Sequence, residues 1–122
     1  MQVNSLNRVI LVGRVGKDPE VMFAKSGTAI CSLSLATSEK FKDVQEAKTE
    51  WHKLVIFGDR AERAKEFISK GQLLLIEGKL STRSYEKDGV KRYSTDVVVD
   101  NWTTLGKKTE SDKQEEDDSL PF

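Results

Sequence analysis

Residues 51–80, WHKLVIFGDRAERAKEFISKGQLLLIEGKL, change from strand to helix character and back again. Their first seven and last nine residues are dominated by aliphatic, β-branched and aromatic side chains, which is typical of strands. Apolar side chains fall at helical spacing between them, at Ala61, Ala64, Phe67 and Ile68. Asp59 is placed to cap the start of this helix and Gly71 to close its end. The sequence predicts one short amphipathic helix, over residues 60–69, between two strands.

Further strand patterns occur on both sides of this unit. Together with residues 51–57, the predicted strands are residues 8–15, 29–37, 72–80 and 92–100. Residues 20–23 are expected to continue the sheet after the first strand, and Asp88-Gly89 predicts a hairpin turn between the last two. Five strands with one helix between the third and the fourth are the order of an OB-type barrel. We therefore expect an all-β protein with a five-stranded OB fold.

The charge of the chain is divided unevenly along its length. Residues 109–122 contain six acids and one lysine, a net charge of −5. The remaining 19 basic and 14 acidic residues give residues 1–108 a net charge of +5, although the whole chain is neutral. A basic body predicts an anionic ligand, and an acidic segment without apolar residues before Leu120 predicts disorder. We expect one domain over residues 1–106 and a disordered acidic tail over residues 107–122.

Catalytic and metal chemistry have few candidate residues. His52 is the only histidine and Cys31 the only cysteine, which excludes an intrachain disulfide and histidine- or cysteine-rich metal sites. We therefore expect a protein that is not an enzyme and needs no cofactor or metal. No run of residues approaches the roughly 18 apolar residues of a membrane span, and no signal segment is evident, so we expect a soluble cytoplasmic protein.

Aromatic residues recur beside basic residues on or near the predicted strands. The rings in this arrangement are those of Phe41, Trp51, Phe57, Tyr85 and Tyr93. Single-stranded nucleic acid requires both groups, because cations neutralise phosphates while rings stack on unpaired bases, each stack contributing about 1–3 kcal/mol. The alternative that these rings belong to the core stays open at this point, above all for Phe57 between Ile56 and Gly58.

The last six residues form a second signal. They are Asp117, Asp118, Ser119, Leu120, Pro121 and Phe122. An acidic pair before an apolar, proline-stiffened end suits a pocket that is lined by apolar groups and a basic residue able to hold the terminal carboxylate. The sequence predicts a segment that docks onto partner proteins.

Several segments together resemble the bacterial single-stranded DNA-binding protein family. They are residues 7–13 (NRVILVG), 18–20 (DPE), 35–38 (LATS), 49–52 (TEWH), 57–58 (FG), 76–78 (IEG), 92–93 (RY), 95–99 (TDVVV) and the tip at 117–122. The resemblance implies an OB fold, assembled as a homotetramer, that coats single-stranded DNA without marked sequence preference. It also implies roles in replication, recombination and repair, a cytoplasmic, nucleoid-associated location, and recruitment of proteins of these processes through the tip.

The resemblance also assigns roles to particular residues. Trp51 and Phe57 match stacking aromatics of the family. Phe41 and Tyr85 stand where the family often has tryptophan. The basic residues that map onto its DNA contacts are Arg8, Lys53, Lys70 and Arg83. His52 resembles a residue of the subunit interface.

The chain departs from the family pattern in two respects. Met22, Ser81 and Ser84 stand where relatives often have basic residues, and residues 107–114 are far shorter than the glycine-rich linker of many members.

Two other functions are compatible with the barrel. An accessory protein of the primosomal kind would use it mainly for protein contacts, against which the acidic tip argues. A small hydrolase would need a metal or an activated nucleophile, which a nuclease assay with magnesium would reveal.

Overall fold

Strands dominate the chain. The computed structural model describes residues 3–42 and 45–106. In chain order its elements are β1 (Val9–Val15), β2 (Glu20–Phe23), β3 (Ala29–Glu39), β4 (Lys48–Phe57), α1 (Asp59–Phe67), β5 (Leu73–Lys87) and β6 (Val90–Leu105). The predicted tail, residues 107–122, lies outside the described residues.

Five of these strands close into a barrel in the order β1, β5, β6, β4 and β3. The ring closes where Arg14 and Val15 of β1 pair with Ala36 and Leu35 of β3. The pair β4–β6 is parallel and the other pairs are antiparallel. Strand β2 pairs with the first half of β3, so residues 20–23 continue the sheet beyond β1. The predicted five-stranded OB barrel, with its helix between the third and fourth barrel strands, is confirmed.

Alternating apolar residues of the strands fill the barrel. Fully buried side chains include Leu33, Leu35, Leu54, Ile56, Leu74 and Ile76. Ala61 and Ala64 of α1 are also buried and pack with them, followed by Ile68 just past the helix end. Cys31 belongs to the same core, and burial raises the pKa of its thiol. The helix therefore covers part of the barrel with Ala61 and Ala64, whereas Phe67 of the predicted apolar side is exposed.

Both ends of the helix differ from the prediction, since it ends at Phe67 with Ile68 as its C-cap, before Gly71. Asp59 is the first helical residue, and the cap position is Gly58, whose φ is 79° and which makes no side-chain capping bond. The N–H of Gly58 donates to the carbonyl of Ala29, which ties the turn to β3. The chain passes from β4 to α1 through this positive φ, which glycine adopts without steric cost. Asp59 then lies in the first turn, where a carboxylate favours the helix dipole.

The last two strands are longer than predicted. Strand β5 continues beyond residue 80 to Lys87, and β6 begins at Val90, before residue 92. The two strands meet at Asp88-Gly89, whose φ values are 55° and 77°. Two successive positive φ values are typical of the type I′ hairpin turn that this dipeptide predicted. Residues 81–94 thus form a two-stranded extension, called the arm below. Its side chains are mostly polar and exposed, so it lacks the alternating pattern that marks a strand in sequence.

Candidate nucleic-acid interface

One side of β4 carries the first part of the candidate site. Because side chains alternate along a strand, Leu54 and Ile56 point into the core while Trp51, Lys53 and Phe57 point outward. Trp51 and Phe57 are 62% and 47% exposed. Exposure to this degree excludes a core role for both rings, which decides the alternative left open by the sequence.

The strand register brings the arm to the same side. Val55 of β4 pairs with Val98 of β6, and on β5 the outward positions two and four residues beyond Ser81 are Arg83 and Tyr85. Ser81 itself pairs with Asp96, two residues before Val98. Trp51, Lys53, Phe57, Arg83 and Tyr85 therefore share one surface, called the outer face below. The three residues of β4 are separated from the two of β5 by α1 in the sequence, and the barrel brings the two groups together.

A groove of about 440 Å³ runs across the outer face. Val55 and Val98 line it, with Phe57 of β4 and Met22 of β2 beside them and Lys53 and Arg83 as its cations. Met22 pairs with Ile30, which in turn pairs with Phe57, so apolar side chains form a row across three strands. The groove thus combines apolar surface with two positive charges, which suits the base and the phosphate of a nucleotide.

A second hollow, of about 280 Å³, lies beside Trp51. Lys17, Lys53 and His52 are among the residues that line it. The ring of Trp51 reaches across β3 to the backbone of Gly16, whose N–H donates to the carbonyl of Ser34 at 2.9 Å. Lys17 in this hollow and Arg83 in the groove thus lie on opposite sides of the outward residues of β4.

Arg83 is held in place on the arm. Its Nε donates to Oδ2 of Asp96 at 3.2 Å, and its guanidinium carbon lies 5.8 Å from the centre of the Tyr85 ring. The Oγ of Ser94 donates to the other oxygen of Asp96 at 3.1 Å. An arginine above an aromatic ring gains a cation–π attraction and keeps the ring oriented.

The chain is similar to known proteins in both sequence and shape. The sequence model described as the Single-strand binding protein family matches residues 6–105. This chain belongs to that family. A solved structure of similar shape is the Plasmodium falciparum SSB in complex with ssDNA. The two chains are 26% identical with a TM-score of 0.77, over 87% of this chain and all of the other.

The other predicted residues of this family member lie outside the five of the outer face. Phe41 is half exposed in the loop after β3, at the same end of the β3–β4 hairpin as Trp51. Arg8 precedes β1 and forms an ion pair with Glu77 at 3.5 Å. Lys70 lies in the turn after α1, where its backbone N–H donates to Oδ1 of Asp18. These three side chains remain predicted DNA contacts, and the docking tip at 117–122 lies outside the described residues.

Several residues of the outer face were not found by sequence reasoning. In the sequence Met22 stands out only as a departure from the family pattern, and Asp96, Val55 and Val98 carry no signal beyond that of a strand. Their outward position follows from strand alternation, but their neighbours across the sheet depend on the register. Only pairing of β6 with both β4 and β5 brings Asp96 next to Lys53 and Arg83.

The described part of the chain contains little that resembles a reactive centre. Within residues 3–42 and 45–106 no group of three or more histidine, cysteine or acidic side chains is arranged to hold a metal. The Nε2 of His52 is hydrogen-bonded to Oγ1 of Thr37 at 2.9 Å across the β3–β4 pair. No helix in the same residues is long and apolar enough to cross a membrane.

Proposed function

We propose that this chain binds single-stranded DNA on its outer face and coats exposed strands without marked sequence preference. The observation that carries this proposal is the shared position of Trp51, Phe57 and Tyr85 with Lys53 and Arg83 on one side of the barrel. Membership of the single-strand binding family and likeness to a solved SSB–ssDNA complex support it.

The geometry of the outer face fits an extended strand of unpaired bases. Phe57 lies six residues beyond Trp51 along β4, so their Cα atoms are about 20 Å apart at about 3.3 Å per residue. This length accommodates several nucleotides between the two rings. Ring stacking tolerates any base, because every base has a π face, and the cations contact phosphates that all nucleotides share. The expected binding is therefore tolerant of sequence and sensitive to salt.

The proposal extends to a homo-oligomer, with a homotetramer as the expected form. Within the described residues, residues 9–12 pair with β5 on one edge and with no strand on the other, whereas Gly13 already lies against Ala36 of β3. A free strand edge is a template for pairing with a second chain. The side chain of Ile10 is 59% exposed on this part of β1 and lines an open hollow of about 530 Å³ with Val12 and His52. A second copy that covers this hollow would bury apolar surface and place His52 at the contact.

A further part of the proposal concerns the acidic tip at 117–122. We infer that it recruits proteins of replication, recombination and repair in the cytoplasm, where it also competes weakly with DNA for the basic body. Removal of residues 115–122 should tighten DNA binding at low salt, since it removes four acids, and should abolish binding of such partners. Unchanged partner affinity after the deletion would refute the docking role.

The experiment that tests DNA binding is a fluorescence titration with oligo-dT at two salt concentrations. Trp51 is exposed on the outer face, whereas Trp102 is partly buried against the core, so the two can be separated by the variants Trp102→Phe and Trp51→Phe. We expect strong quenching in Trp102→Phe and little in Trp51→Phe. Failure of the unmodified protein to bind oligo-dT at low salt would overturn the proposed function.

A further inference from the structure

A buried carboxylate lies within the outer face. Asp96 is 5% exposed, pairs with Ser81 across β5 and β6, and lines the groove together with Lys53 and Arg83. A negative charge at this position repels the phosphates that the two cations would attract. If the outer face binds DNA, this carboxylate must contribute something that offsets the repulsion.

The contacts of Asp96 show what it does to its neighbour. Its two oxygens accept hydrogen bonds from Nε of Arg83 at 3.2 Å and from Oγ of Ser94 at 3.1 Å. The Arg83 side chain is more than half exposed, and its guanidinium lies over the Tyr85 ring. A guanidinium has five N–H donors in a rigid fork, and the bond to Asp96 occupies the one on Nε. The remaining donors, on Nη1 and Nη2, stay available for a phosphate.

We propose that Asp96 is a positioning residue of the outer face. It holds Arg83 between its own carboxylate and the Tyr85 ring, so that the phosphate-binding fork and the stacking ring are presented together before DNA arrives. An arginine that is already ordered loses less side-chain entropy on binding, which raises affinity. This role rests on the proposed binding of DNA by the outer face and adds a residue that does not itself contact the strand.

Two simpler roles for Asp96 make different predictions. If the carboxylate merely opposes DNA, its removal tightens binding. If it merely supports the fold of the arm, its removal weakens binding by the same factor whether Arg83 is present or not. A positioning role alone makes the sign of the effect depend on Arg83, because the benefit acts through that side chain.

The test is a double-mutant cycle with Asp96→Val, Arg83→Ala and the double variant. Valine favours a strand and suits the apolar neighbours Val55 and Val98, so the arm should still fold. The dissociation constant for oligo-dT is measured for each protein at two salt concentrations, together with Tm. We expect Asp96→Val to weaken binding about fivefold despite the loss of a negative charge. In the Arg83→Ala background the same change should strengthen binding about twofold, since the carboxylate then only repels phosphate.

Thr95→Val is the matched control. Thr95 precedes Asp96 on β6 but faces the opposite side of the arm, where its Oγ1 meets that of Thr82 at 2.8 Å. The affinity of Thr95→Val should equal that of the unmodified protein, and a loss like that of Asp96→Val would show a general effect of the arm and overturn the inference.

Three other results would also overturn it. They are unchanged or tighter binding by Asp96→Val, equal weakening in both backgrounds, and unchanged affinity in Arg83→Ala. Failure of the unmodified protein to bind oligo-dT is a separate result, visible before any variant is compared, and it would overturn the proposed function itself.

Discussion

The ring of Trp51 lies against the backbone of Gly16, and the contact leaves no room for a side chain there. A Cβ added to Gly16 would overlap Cζ3 of Trp51 and come within 2.7 Å of Oγ of Ser34. Gly16 has no positive φ, so alanine fits its backbone and the conflict is with these side chains. The glycine is therefore part of what sets the orientation of the exposed tryptophan.

The first prediction is that Gly16→Ala weakens DNA binding by displacing Trp51. We expect a loss of about three- to tenfold in oligo-dT affinity, a part of the 1–3 kcal/mol that one stacked ring contributes. The change in Tm should be small, because Trp51 is exposed and its ring can move into solvent. Titration by fluorescence anisotropy with labelled oligo-dT measures the affinity without depending on the tryptophan signal.

The control for this prediction is the same substitution in a Trp51→Ala background. Without the ring there is nothing to displace, so Gly16→Ala should have little further effect on affinity. A second control is the double variant Gly16→Ala, Ser34→Ala. It keeps the overlap between the added Cβ and the Trp51 ring but removes the overlap with the Ser34 hydroxyl. If Gly16→Ala costs the same affinity with and without Trp51, the glycine acts in some other way.

The second prediction concerns the rings themselves. Alanine at Trp51, Phe57 or Tyr85 should in each case weaken DNA binding by about 1–3 kcal/mol, because the stacking of one base is lost. Phe67→Ala is the matched control: its ring is as exposed as that of Trp51, but it lies at the end of α1 and does not line the groove. Isothermal titration calorimetry with oligo-dT would measure all four, and an equal loss in Phe67→Ala would argue against a defined outer face.

The third prediction separates the cations of the outer face from a cation on the opposite side of the arm. Lys53→Ala and Arg83→Ala should each weaken binding, because each removes one phosphate contact. The negative slope of log affinity against log salt should become shallower by about 1 in each variant. Lys91 is a suitable control, since it lies over the Tyr93 ring on the opposite side of the arm from Arg83. A salt slope that falls equally in Lys91→Ala would mean that DNA contacts both sides of the arm.

Sequence reasoning predicted most of the fold because local signals were strong. The helix was visible as a change of period, the hairpin turn as Asp88-Gly89, and the buried strands as apolar runs. The arm was missed beyond residue 80 because a strand exposed on both sides has no apolar alternation. Its regularity comes from pairing between β5 and β6, which is a property of the folded chain.

The candidate site was only partly predictable for a related reason. Aromatic residues beside cations identified Trp51, Phe57 and Tyr85 one by one, but the pattern cannot tell which of them share a surface. Asp96 carries the opposite charge to that expected of a DNA contact, so a search for basic residues passes over it. Its relation to Arg83 depends on a diagonal contact across two strands that no spacing in the sequence specifies.

The last prediction concerns assembly. Ile10→Glu places a charge on the exposed part of β1, and burial of an unpaired charge at a subunit contact would be strongly unfavourable. We expect sedimentation equilibrium to show a smaller species than the unmodified protein, with a similar circular dichroism spectrum because Ile10 is exposed within one chain. Phe67→Glu is the matched control, since it adds the same charge at an equally exposed apolar residue on α1 and should leave the assembly intact. If Ile10→Glu keeps the mass of the unmodified protein, the free edge of β1 is not the contact between copies, and if both variants dissociate, the effect comes from added charge and not from this surface.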